Sequence, residues 1–478
     1  MLYTIIAINS SGYHQEDEHY QIVGFAEYKL GNTNEISWEY KQRIRSAVQP
    51  VLCIGVFSLL RFLHITDPFV LALFLRLLTC VLSIIIIAFF VNMCLPDLKE
   101  KYWIWFLGAS YFLWFLPYIN VRFSSESWSG LFFLLSVALV QYSWDQKKIF
   151  KHILIGLVIG LAILFRFQAL SLAFGLLSWC FFVGKIKGKP FLLVITSLLA
   201  IIFIGILIDS WFYQKLTFSL YNYVEINVLK DAASFFGRFP WYYILLYIIK
   251  APTYPIGVLL LSSIVVLAYC NLKSIYIWCI SPFLLIHFLS PHKELRFLFP
   301  IANLSPIIIF LAVQHIEVLL LKLNQYILRL TTCFLLLINT IGLIIICTKS
   351  TRNGDTEIAD YLYHKFPNQK VNLITSYESN PFNPYMGFKT NFYKNGKTEI
   401  SDITSFWDPE LNNKIKKGYV NLLVISKLEY TGVETQKRLE HFKMILVKNT
   451  LSSVYSCFTD LYDSSINDEQ LLLYRYTN

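Results

Sequence analysis

The chain has 478 residues, 56% hydrophobic, 17% aromatic and 15% charged, with a mean hydropathy of +0.52, a balance that excludes an ordinary soluble globular protein and makes the bilayer the relevant solvent. The formal charge of +10 would suggest nucleic acid in a soluble chain. Here the Lys and Arg residues gather in short loops between apolar runs, so the charge reads as topology and nucleic acid is not a partner.

In chain order, only residues 1–8 precede the first external loop, which runs over 9–67. That is too short to cross about 30 Å of hydrocarbon, which needs about 20 residues. The topology therefore expects a further span ahead of residue 9, as if the start had been placed late or trimmed. The segment lacks the basic lead and cleavage site of a cleaved signal peptide. Spanning helices are predicted over 68–93, 102–119, 124–143, 190–211, 254–271, 275–290, 297–316 and 326–348. The apolar block at 152–183 is interrupted by Arg166 and Gln168 and is expected to form two short helices meeting at a polar turn.

Lys147, Lys148 and Lys151, then Lys185, Lys187 and Lys189, then Lys322 and Arg329 mark cytoplasmic loops. Residues 9–67, 120–124, 212–252, 291–296 and everything from 349 then fall on the opposite face. The tail reads as a small α/β unit. Its strands are predicted at LITSYE (373–378), NLLVIS (421–426) and MILVK (444–448), with amphipathic segments at 357–366 and 434–442. The predicted fold is an all-α polytopic membrane protein with a small α/β C-terminal extramembrane domain. Its parts are an external loop with an acidic motif (1–67), a transmembrane domain (68–348) and a non-cytoplasmic tail domain (349–478). Of nine cysteines, only Cys457 lies in the polar tail and no CxxC pair occurs; they read as small packing residues, and no metal site or cofactor is expected.

Three constellations carry chemistry. The first is His14-Gln15-Glu16-Asp17-Glu18-His19-Tyr20-Gln21, whose adjacent carboxylates repel one another unless something cationic or reactive offsets them. A sugar transfer that inverts its anomeric carbon needs one carboxylate to take the acceptor's proton. A solvated acidic loop is the alternative. The second is Ser290-Pro291-His292-Lys293-Glu294-Leu295-Arg296-Phe297, whose two permanent cations and histidine suit a departing phosphate or, more plainly, anchor helix ends at the interface. The third runs from Asp209-Ser210-Trp211-Phe212-Tyr213 through Tyr221-Asn222-Tyr223 and Asn227 to Phe236-Gly237-Arg238-Phe239-Pro240-Trp241-Tyr242. Aromatic faces with interspersed amides suit a pyranose, although an interfacial aromatic belt explains the Trp and Tyr equally well. Arg76, Arg122 with Glu126, and Arg166 with Gln168 are charges at membrane depth. Arg76 and Glu126 read as structural pairs, Arg122 and Arg166 as candidates for a donor cavity.

Taken together these segments resemble glycosyltransferase family twenty-two, the membrane mannosyltransferases that assemble GPI-anchor and N-glycan lipid precursors. The motifs fall in that family's order: Glu16-Asp17-Glu18-His19-Tyr20-Gln21, Trp38-Glu39-Tyr40, Ile44-Arg45-Ser46, Arg122 to Glu126, Asp209 to Tyr213 with Tyr221-Asn222, Gly237 to Trp241, and His292 to Phe297. Glu16 replaces the family's usual proline. Residues 377–385, with Asn380-Pro381-Phe382, are similar to the branch that adds the third mannose to GPI precursors. The resemblance implies a C-type glycosyltransferase fold, a polyprenyl- or dolichyl-phosphate-mannose donor, a glycan or glycolipid acceptor, inversion and no required metal. It implies Asp17 as base and Glu18 beside it at the acceptor, with His292, Lys293 and Arg296 cradling the donor phosphate. His19, Gln21, Arg122, Arg166, Asp209, Tyr213, Asn222 and Glu294 complete the expected substrate-binding set. The membrane would be a bacterial inner membrane or the endoplasmic reticulum. A flippase of lipid-linked sugars, or a transferase using arabinose or glucose, remains as the alternative. The acidic cluster and the cation-rich turn are expected to share one outward-opening pocket.

Overall fold

The structure is a computed structural model that describes residues 1–142, 149–184, 186–348, 351, 354–382, 391–427, 433–450 and 470–477. Lys147, Lys148, Lys185, Cys457 and residues 383–385 of the expected branch motif lie outside the described residues. The chain forms two compact units, one of residues 1–37, 54–74 and 344–478, the other of 38–53 and 75–343.

The first unit joins the chain's beginning to its tail. Asn9 closes the helix Leu2–Asn9 and donates its Nδ2 to the Cys347 carbonyl at 2.7 Å, while Thr351 bonds Ser10 through Oγ1 at 2.9 Å and Ser11 through its amide at 3.2 Å. The tail contains a five-stranded mixed sheet, β1 (Val371–Thr375), β2 (Thr398–Asp402), β3 (Val420–Ser426), β4 (Met444–Asn449) and β5 (Leu471–Tyr476), in the order β2-β1-β3-β5-β4. β1 runs parallel to β2 and β3, and β5 antiparallel to β3 and β4.

Both sheet faces are covered, which the strand sequences require. Side chains alternate between faces along a strand, and Leu373, Leu422, Val424, Leu471 and Leu473 meet the helix Asp355–Lys365 through Ile358 and Leu362. Ile374, Leu423, Ile425, Leu472 and Tyr474 pack on Phe406, Leu411 and Leu439. Near-continuous apolar runs are what two buried faces demand. Gly354 precedes the Asp355–Lys365 helix at φ 97°, where a Cβ would lie 2.3 Å from Thr450 Oγ1, so glycine alone fits there. The predicted strands correspond to β1, β3 and β4; β2 and β5 were not predicted.

The second unit is helical. Among the described residues three helices of the chain are long and apolar enough to cross a membrane, Pro68–Asp97, Lys189–Phe212 and Gln325–Thr348, or five spans if each of two bent pairs counts as one. The predicted span at 102–119 is instead two helices, Glu100–Phe112 and Phe115–Asn120. Pro117 accounts for the break, since its ring clashes with the carbonyl four residues earlier, at Leu113, which is extended at ψ 115°. The predicted span at 297–316 is likewise bent, by 66° between Leu295–Ala302 and Ser305–His315, with Pro306 acting on Ala302. The block at 152–183 does divide at Arg166, into Ile149–Phe165 and Ala169–Phe182. Gly156 and Gly160 let Ile149–Phe165 approach Lys189–Phe212 closely: a Cβ on Gly156 would sit 2.1 Å from the Val194 carbonyl oxygen. Small residues four apart are how membrane helices gain contact area.

Candidate active site

In the first unit, Glu16–Glu18 forms a single helical turn, and Glu18 Oε2 accepts the His14 backbone N–H at 3.1 Å. Asp17 and Glu18 are both half-buried. The chain then winds through a π-helical turn, His19–Val23, which buries His19 and Gln21. π-Helical turns are rare and concentrate at functional sites. His19 is ringed by Tyr13, Tyr20, Phe392 and Tyr393, with centroids 5.3–5.8 Å away.

Burial lowers the His19 pKa to about 4, so the ring is neutral at physiological pH. This has a signed consequence. The unfolded chain takes up a proton near pH 6.5 and the folded chain only near about 4, so stability falls as pH drops through that window, by up to ~3 kcal/mol. The melting temperature is expected to fall between pH 7.5 and pH 5, and His19→Gln is expected to flatten that dependence. A variant that keeps the wild-type slope, or a wild-type melt indifferent to pH, would mean that His19 is not held neutral.

In the second unit, the basic turn is built between the helix Ile275–Leu289 and the turn Leu295–Leu298. Glu294 is its organiser: its carboxylate accepts from His292 Nε2 at 2.7 Å and from Arg296 Nε and Nη2 at 2.5 and 3.0 Å. Burial alone would favour the neutral acid, but the bonds from His292 and Arg296 prevail and hold it well below the usual carboxylate range. Lys293 is 2% exposed and sets its ammonium on the carbonyls of Ser290 and Phe288, where the helix C-terminus favours a cation. Burial lowers its pKa. His292 sits among Phe236, Phe239 and Phe297, with centroids 5.9–6.3 Å away, and the Phe239 amide bonds the Pro291 carbonyl at 2.9 Å. That bond joins the Gly237 to Trp241 stretch to the basic turn.

Arg296 also reaches Glu126, at 3.6 Å, and Arg166 reaches the same carboxylate oxygen at 3.2 Å. Both arginines and Glu126 are nearly fully buried. Arg166 is further held by Gln168 Oε1 at 3.0 Å and Ser125 Oγ at 3.4 Å, and both guanidiniums lie over the Phe297 ring at 5.6 and 5.8 Å. The break at Arg166 thus exists to deliver a cation. Arg122, 1% exposed, stacks over Tyr118 at 5.5 Å. Glu126, paired with Arg122 by sequence proximity, serves Arg166 and Arg296.

The aromatic and amide stretch turns its polar side chains on the protein's own backbone. Asp209 accepts the Ala47 amide at 2.7 Å and Ser46 Oγ at 3.4 Å, Tyr213 donates its hydroxyl to the Arg45 carbonyl at 2.7 Å, and Asn222 donates to the Arg43 carbonyl at 3.2 Å. These polar atoms grip the 43–47 turn. The turn presents Arg45, whose guanidinium lies 5.8 Å over Tyr223 and near enough to Arg166 to act on it electrostatically. Arg45 was visible as part of a motif; nothing in its composition marked it as a member of the arginine cluster.

Broken apolar helices carrying buried cations mark a multi-pass membrane protein, and its fold is the C-type glycosyltransferase fold of the structure it superposes on. The solved structure of ArnT from Cupriavidus metallidurans bound to undecaprenyl phosphate superposes with a TM-score of 0.50 at 11% identity, over 99% of this chain and 96% of that one. The signature of the Alg9-like mannosyltransferase family matches residues 1–378, and the chain belongs to that family. Similar proteins include GPI mannosyltransferase 3 of Candida albicans, 30% identical over 62% of this chain and 58% of that one, and that of Debaryomyces hansenii, 24% identical over 81% and 71%. The human GPI alpha-1,2-mannosyltransferase 3 is 22% identical over 63% of this chain and 54% of its own. The chain's match thus spans little more than half the length of the Candida and human relatives.

Proposed function

We propose that this chain is an inverting mannosyltransferase that moves mannose from a polyprenyl- or dolichyl-phosphate-mannose donor to a GPI-type glycolipid on the non-cytoplasmic face of its membrane. The observation that carries the reading is the buried pair Arg166 and Arg296 converging on Glu126 over the Phe297 ring. Guanidiniums fixed in a water-poor site are preorganised for a phosphate that gains charge as it leaves, and need no rearrangement at that moment. The names of the relatives supply the sugar and the acceptor class, and the undecaprenyl phosphate bound to ArnT is the kind of anion such a cluster suits.

The step balances without a cofactor. Asp17 takes the proton of an acceptor hydroxyl, whose oxygen attacks the anomeric carbon from the face opposite the phosphate. The bond from that carbon to the phosphate oxygen breaks, and its electron pair leaves on lipid phosphate. Glu18 orients the acceptor, while Arg296, Arg166 and His292, itself fixed by Glu294, receive the departing charge.

A donor panel tests the sugar and the lipid together. Purified chain in nanodiscs, given a mannosylated glycolipid acceptor and lipid phosphates carrying mannose, glucose or arabinose, is expected to transfer mannose at least about tenfold faster than the others. Preference for another sugar would overturn the donor assignment.

A further inference from the structure

Within the first unit a cavity of about 290 Å³ opens along the π-helical turn that follows Asp17 and Glu18, with His19 and Tyr20 in its wall. That is the lower end of the sizes, from about 300 Å³, found for small-ligand pockets, so it suits one sugar ring and not an extended glycan. Its buried carboxylate is fixed before any ligand arrives. Glu27 is 6% exposed, and both its oxygens are held by Arg61 at 2.8 and 2.9 Å while Asn32 donates to Oε2 at 2.9 Å. On the other side Asn391 donates to Glu35 at 3.3 Å.

The lining charges match in number. Glu27 and Glu35 contribute two carboxylates, Arg61 and Lys394 two cations, and Asn32, Thr33 and Asn391 neutral donors and acceptors. A phosphate would meet the carboxylates and an amine the guanidinium, whereas a ring of hydroxyls finds acceptors and donors alike. Tyr20, Tyr363 and Phe392 add aromatic surface, on which the C–H face of a pyranose stacks. None of these groups belongs to the arginine cluster.

We propose that this cavity is a subsite for a neutral saccharide unit of the acceptor glycan, a sugar other than the one that receives the new bond. The assignment rests on the transferase reading above and extends it: the acceptor is selected by a sugar that does not react. Binding energy from such a remote unit serves to place the reacting hydroxyl.

The test uses the full chain in nanodiscs and two probes. Saturation-transfer NMR with free mannobiose, which needs no catalysis, is expected to show contact with the wild type and to lose it in Asn32→Ala with Asn391→Ala. In initial-rate kinetics each of these substitutions is expected to raise the KM for a glycan-bearing acceptor about fivefold, the worth of one neutral hydrogen bond, with kcat and the donor KM unchanged. Tyr363→Ala removes ring surface without touching the Glu27–Arg61 pair and serves if Asn32→Ala fails to fold. Wild type that transfers mannose but gives no NMR contact, or variants that keep the acceptor KM, overturns the subsite alone. Wild type that contacts mannobiose yet transfers nothing overturns the transferase reading and leaves a saccharide-binding cavity.

Discussion

Asp17→Asn is expected to cut mannosyl transfer by about a thousandfold, within the span that a positioned general base contributes, while leaving expression and melting temperature near the wild-type values. The two outcomes separate because of where the side chain sits. Asp17 lies half-buried in a one-turn helix, outside the apolar cores formed by the described residues of its unit. Asparagine keeps its shape and hydrogen-bonding reach but cannot accept a proton. Glu16→Gln, in the same turn, is the control and is expected to change the rate by less than about tenfold. The measurement is the initial rate at saturating donor and acceptor, and an undiminished rate in Asp17→Asn would remove that residue from the base's role.

Glu126→Gln is expected to destabilise the chain by about 3–5 kcal/mol, the usual consequence of removing one partner from a buried ionic cluster. Glu126 is 2% exposed, and its loss leaves Arg166 and Arg296, 5% and 7% exposed, without the carboxylate they share. Thermal melts in detergent read the effect directly. Two further results identify the cause. Combining Glu126→Gln with Arg166→Met is expected to restore part of the lost stability, because the pair is then reduced on both sides. Lipid phosphate added to the single variant is also expected to raise its melting temperature more than it raises that of the wild type, since an anion then takes the carboxylate's place. A single variant that melts like the wild type would mean that Glu126 adds nothing to what Glu294, Gln168 and Ser125 already do in holding the arginines.

Much of this was legible in the sequence. Apolar runs of spanning length stood out, and the polar pair Arg166 and Gln168 inside one run marked the break that the fold uses. The tail's apolar alternation gave β1, β3 and β4. The misses have particular causes. Pro117 and Pro306 act on carbonyls four residues earlier, an effect that hydropathy averaging smooths away. β2 is a short strand whose TEISD sequence carries little apolar signal, while β5, LLLYRY at 471–476, is apolar on both faces and lacks the strict alternation that marks a half-buried strand.

The candidate site was legible as a set of residue types and less so as a set of roles. Glu294 lay among the expected substrate contacts, and its carboxylate is engaged by His292 and Arg296. Asp209, Tyr213 and Asn222 direct their side-chain polar atoms at the 43–47 turn, a use no one-dimensional pattern reveals, because Ala47 and Asp209 lie 162 positions apart. The small subdivisions of the chain follow the same rule: Asn9 and Thr351 tie the beginning to the tail through bonds between residues hundreds of positions apart.

A glycosidic bond made as a sugar–phosphate bond is broken has a fixed stoichiometry. Purified chain given β-linked lipid-phosphate mannose and a glycolipid acceptor should release one lipid phosphate for each mannose transferred, and NMR of the product should show the new linkage as α. Mannose-lipid that crosses the bilayer with no lipid phosphate released, or a product that keeps the β configuration, would contradict the account.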